Sequence, residues 1–141
     1  MSKNINYNIS ELLDKLSVLQ IKQIVNNTNY KKYQFAIDQI LRELDMNILK
    51  NQKITLNSKI IKLLIALAQI NYHIWIMRDK TKKGGAKYKE NIKISHLLNA
   101  LRNITKNKLL YYLTDNRNKD VRTNINIEDL KNWKFGILNE K

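Results

Sequence analysis

Apolar residues recur at three- and four-residue intervals along four stretches of this chain, the period of an α-helix with one face turned to a core. Ile9, Leu12, Leu13, Leu16, Leu19 and Ile24 mark the first, and a helix is predicted over about residues 10–27. Ser10 is placed as its N-cap, with Glu11 and Asp14 supplying negative charge to the first turn. The polar run Asn26-Asn27-Thr28-Asn29 breaks that helix. Tyr33, Ile37, Ile40, Leu44 and Ile48, widened by Ala36 and Leu41, then stripe a second helix over about 29–49. Its other side carries Asp38, Arg42, Glu43 and Asp45. A connection containing Asn51 and Asn57 leads to Ser58 and a third helix, about 58–80, built on the segment IIKLLIALAQINYHIWIM. Ile94, Leu97, Leu98, Leu101, Ile104, Leu109 and Tyr112 define a fourth over about 90–113.

Between the third and fourth helices, residues 78–91 (RDKTKKGGAKYKEN) read as a flexible loop centred on Gly84-Gly85. Residues 114–126 read as polar loop, and Ile127, Leu130, Trp133, Phe135, Ile137 and Leu138 as a short helix or irregular tail docking on the helices. Four helices with modest connections predict an all-α, antiparallel four-helix bundle-like single domain over 1–113, followed by the polar loop and docking tail of 114–141. The third helix is apolar enough to raise a membrane span. Lys62, Gln69, Asn71 and His73 are spread through it, however, and a single span would need partners for them inside the bilayer. A central bundle helix buried on most sides is therefore expected, with no membrane span. The N-terminal residues lack the long apolar run of a secretory signal, so the expected location is cytoplasmic, in a host cytoplasm or a virion if the gene is viral.

Composition narrows the functional classes. With no Cys there is no disulfide framework, thiolate metal site or cysteine nucleophile; with no Pro and three Gly in 141 residues, a turn-rich β-sandwich or barrel is disfavoured. Lys and Arg number 26 against 12 Asp and Glu, giving +14. The 21 Lys, 20 Asn and 20 Ile set against five Arg and five Ala mark an A/T-rich genome, as in some viruses, organelles and streamlined bacteria, and that bias inflates lysine. It leaves the shortage of acids unexplained. An anionic partner therefore stays in view.

The charge is locally dense. Arg78, Lys80, Lys82, Lys83, Lys87, Lys89 and Lys93 are opposed only by Asp79 and Glu90, and Tyr88 stands among them for stacking on a base. Gly84-Gly85 lacks the spacing of a Walker A loop. The bland alternative is a solvated loop in a lysine-rich protein. His96, Asn99, Asn103 and Lys106 share one face of the fourth helix, with Arg102 at its edge. They suit an anionic ligand, an exposed polar face, or a buried network that fixes helix register. Asn71, Trp75 and Arg78 share a face of the third helix, and buried Asn and Trp need hydrogen-bond partners, for which the fourth-helix stripe is the candidate supplier. His73 and His96 lie on separate helices with no carboxylate spaced to join them in a metal site. No metal, cofactor or catalytic residue is expected.

The run Ser10-Glu11-Leu12-Leu13-Asp14-Lys15-Leu16-Ser17-Val18-Leu19, followed by Ile21-Lys22, resembles the opening of certain small helical proteins of bacteria and phages. Their later helices resemble Leu67 to Asp79, with an Asn four residues before a Trp and an acid after it, and Leu98, Asn99, Arg102 and Asn103. The resemblance implies an all-α fold and a joint role for Lys15, Lys22, Asn71, Asp79, Asn99 and Arg102, and implies no activity. The leading expectation is a non-catalytic basic bundle that binds a polyanion, most plausibly nucleic acid, through the lysine-rich loop. The second is a structural or adaptor module that binds protein, as a homo-oligomer or particle component, through Trp133, Phe135 and the tail. The third is a small-ligand pocket or enzyme using the polar faces of the third and fourth helices.

Overall fold

The computed structural model describes residues 7–50 and 55–114, all of it helices and short connections. The expected polar loop and docking tail, with Trp133 and Phe135, lie outside the described residues. Four α-helices follow in order: α1 (Ile9–Val25), α2 (Tyr30–Lys50), α3 (Ser58–Lys82) and α4 (Tyr88–Leu113), with one 3-10 turn at Asn27–Asn29. The all-α bundle expected from periodicity is therefore the fold.

Two helix starts are set by asparagines that precede the serines, by two residues at Asn8 and by one at Asn57. Asn8 is extended, and its side-chain oxygen accepts the Glu11 N–H at 2.9 Å. Ser10 lies two residues on, within the first turn and buried, and donates its hydroxyl to the same oxygen at 2.8 Å, so it is a second tie rather than the cap. Asn57 caps α3 in the same way, accepting the Ile60 N–H at 3.0 Å. A side-chain oxygen in either place satisfies one of the orphan donors of the first turn.

The helices run up, down, up, down. Ile9 and Leu12 at the start of α1 share a core with Ile60, Leu63 and Leu67 of α3, with Leu109, Leu110 and Leu113 of α4, and with Leu44 of α2. Further along α1, Asp14 and Ser17 reach Asn71 of α3. So α1 runs parallel to α3 and antiparallel to α4. A second core, Ile70, Ile74, Leu97, Leu98 and Leu101, belongs to the α3–α4 pair alone. Each large apolar side chain buried in these cores contributes roughly 1.5–3 kcal/mol.

Two expectations change here. The segment 78–91 is mostly helical: α3 continues through Lys82 and α4 begins at Tyr88, leaving only 83–87 between them. Arg and Lys are good helix formers and no Pro interrupts them, so the chain reverses only at the glycines, where φ is +67° at Gly84 and +98° at Gly85. The other change concerns α3. It buries a single stripe of Ile60, Leu63, Leu67, Ile70, Asn71 and Ile74 rather than most of its circumference. The reason is the placement of α2, which packs along α1 and barely meets α3 or α4. With that side of the bundle open, Ile61, Ile65 and Tyr72 remain 44%, 59% and 46% exposed. Among the described residues α3 is also the one helix long and apolar enough to cross a membrane, and about 33% of its most apolar window is buried in the bundle.

Candidate functional site

Two groups of polar residues stand out, one buried and one exposed. The buried group sits where α1, α3 and α4 meet. Lys106 of α4 is inside the bundle, and its ammonium lies 3.0 Å from Glu11 and 3.4 Å from Asp14. The Asp14 carboxylate also accepts the Asn71 side-chain amide at 2.8 Å, and that amide reaches the Ser17 hydroxyl at 3.3 Å. Asn71 and Lys106 are each about 3% exposed. One continuous chain of polar contacts thus ties three helices, and it fixes their axial register, because no shift of one helix by a turn would preserve it. Among the described residues, the Asn71 oxygen, Arg102 Nε and the Asn103 oxygen are buried side-chain atoms with no hydrogen-bond partner.

Of the three alternatives for the fourth-helix stripe, the buried network describes Lys106. Asn99, Arg102 and Asn103 are half-buried beside it, and His96 is exposed and stands apart. The expected supplier for Asn71 was α4; its partners are instead Asp14 and Ser17 of α1. Trp75 is half-buried on α3, while Arg78 and Asp79, one turn on, are exposed. Of the residues grouped by resemblance, Lys15 lies 3.4 Å above the Tyr7 ring, and Lys22 is half-buried, near the end of α1. Asp14 and Glu11 were legible only as first-turn acids. Their signal was position: Asp14 falls beside Leu13 on the apolar flank of α1, where a carboxylate needs a cation.

The exposed group is built by topology. Arg78, Lys80 and Lys82 project from the last turns of α3, Lys83 and Lys87 from the connection, and Lys89 and Lys93 from the first turns of α4; all are exposed. Tyr88 is 45% exposed among them. The cations are therefore carried on two rigid helix ends around a short turn, not on a long flexible loop. None of these seven has an ion-pair partner among the described residues. Because α1 runs parallel to α3, the α1–α2 turn lies at this same end. It brings the exposed Lys31 and Lys32, the half-buried Lys22 and the 48% exposed Tyr30. Against these ten cations stand only Asp79 and Glu90, so a net +8 of the chain's +14 is gathered at one end. Spacing along the chain did not show this, since Lys31 and Lys87 are distant in sequence.

Among the described residues no three His, Asp or Glu side chains are grouped to hold a metal ion. No family model, curated protein or solved structure matches the chain. The class that fold and surface define is thus an all-α bundle with a strongly basic end.

Proposed function

We propose that this protein is a non-catalytic helical-bundle protein that binds a polyanion, nucleic acid in the first place, with its basic end. One observation carries the proposal: the up-down-up-down topology puts the α1–α2 turn and the α3–α4 turn at the same end of the bundle, so the lysines of both lie at that end. Compositional bias alone would scatter lysines over all surfaces. A surface of this kind neutralises phosphates and releases their counterions, and sequence selectivity is not required of it. Tyr30 and Tyr88, both half exposed, are placed to stack on unpaired bases.

The test is fluorescence anisotropy of labelled single-stranded and duplex oligonucleotides across a salt series. Binding should weaken steeply between about 50 and 200 mM salt, as expected when several phosphates are neutralised. Absence of binding at the low-salt end would refute the proposal.

A further inference from the structure

The outer side of α3 carries an apolar stripe that the described helices leave open. Ile61, Ile65, Ala68, Tyr72 and Ile76 recur at four, three, four and four residues, on the side opposite the buried Ile60, Leu63, Leu67 and Ile74. The first four are exposed and Ile76 is half-buried. Such a row spans roughly 23 Å of helix, and Lys62, Gln69, His73 and Lys80 form a polar edge along it. An apolar strip with a polar rim is the layout of a protein interface. We infer that this stripe is a homodimer seam, in which two copies of the chain pack α3 against α3, antiparallel, about a two-fold axis beside Ala68. The five stripe residues take no part in the proposed anion binding.

Two observations select a second copy as the occupant. The first is that the stripe is its own complement, as a two-fold interface requires. Its one small residue, Ala68, lies near the centre, where two helix backbones can approach closely. The large residues are disposed about it almost evenly, Ile65 and Tyr72 one turn away and Ile61 and Ile76 two turns away. An axis between Ala68 and Gln69 therefore sets Ile65 of each copy against Tyr72 of the other, and Ile61 against Ile76. Beyond them, Asp79 of each copy comes level with Ser58 of the other, in the first turn of α3, where the helix dipole favours a carboxylate. The second observation is charge. Each chain carries +14, with a net +8 gathered at the end where α3 stops. A parallel pair would set two such ends side by side. The antiparallel pair sends them to opposite ends of the dimer, roughly 40 Å apart, which is about five Debye lengths at physiological ionic strength. Spacing and charge thus favour the same direction. A single helix pair is a small interface, so the expected Kd lies in roughly the micromolar range.

In sedimentation equilibrium of the full chain, the mass should rise from 16.7 kDa toward twice that value as concentration increases, over a range of about 1 to 300 µM. Ile65→Glu combined with Tyr72→Glu should hold it at 16.7 kDa throughout, with helix content unchanged by circular dichroism. Ala68→Arg provides the same readout if the double variant folds poorly. Because the protein contains no Cys, single thiols report the direction of packing. Under mild oxidation, mixed Ile61→Cys and Ile76→Cys chains should form the disulfide between the two variants in at least about five-fold excess over either self-disulfide, because the two copies of Ile61 stand roughly 23 Å apart in the antiparallel pair. A mass of 16.7 kDa at every concentration would overturn the inference. So would a preference for the self-disulfides, the mark of a parallel pair, or a dimer that survives Ile65→Glu with Tyr72→Glu, which places the contact elsewhere.

Discussion

Lys106 carries its ammonium into the bundle and meets two carboxylates there, Glu11 at 3.0 Å and Asp14 at 3.4 Å. Removing a single partner from such a group leaves like charges together with poor solvation, which costs more than the intact pair gains. Lys106→Ala should therefore lower stability by about 3 kcal/mol in urea unfolding. Lys106→Met combined with Glu11→Gln and Asp14→Asn should recover most of that loss. A single variant within about 0.5 kcal/mol of the parent, the usual range for a surface substitution, would show that the network does not support the fold. Asn71→Ala should cost about 2 kcal/mol, because Asp14 loses its amide donor while remaining buried. At this scale the sequence marked Asn71 as a polar group in an apolar helix and Lys106 as one member of a polar stripe with a buried network among its readings. It could not pair them correctly, because pairing depends on how helices are rotated and staggered against each other, and a 3.6-residue period is silent on both.

The four helices themselves were legible because each carries its own stripe and its own polar breaks. Their ends moved by at most two residues, since an asparagine side chain can cap from one or two residues before a serine and since lysines extend a helix as readily as they fill a loop. What periodicity did not reveal is which stripe faces which. The α2 stripe is as regular as the others, yet it buries only Ile37 and Leu44 fully, and α2 packs chiefly on α1. The cost appears on α3, whose outer apolar side stays open. The α3–α4 connection depends on Gly84 and Gly85, both at positive φ with free space where a Cβ would stand. Strain rather than crowding therefore decides the effect of a side chain there. Gly84→Ala and Gly85→Ala should each destabilise by about 1–2 kcal/mol in thermal or urea unfolding, and the double variant should lose more. Unchanged stability in both would mean that the turn adopts another conformation.

For the whole molecule, the +14 charge has a direction. Ten cations against two acids occupy the end that holds both helical turns, and the remaining described residues, with α1's acids and Asp38, Glu43 and Asp45, are far closer to balance. Sequence bias accounts for the abundance of lysine but not for this separation. The most direct test compares two variants of identical net charge. Lys82→Gln, Lys83→Gln and Lys87→Gln removes three charges from the basic end; Arg42→Gln, Lys50→Gln and Lys59→Gln removes three elsewhere. In oligonucleotide anisotropy titrations across a salt series, the first should bind at least about ten-fold more weakly, with the slope of log K against log salt reduced by up to about 3. The second should stay close to the parent. Equal losses in the two variants would contradict a localised binding end and leave the charge as composition alone.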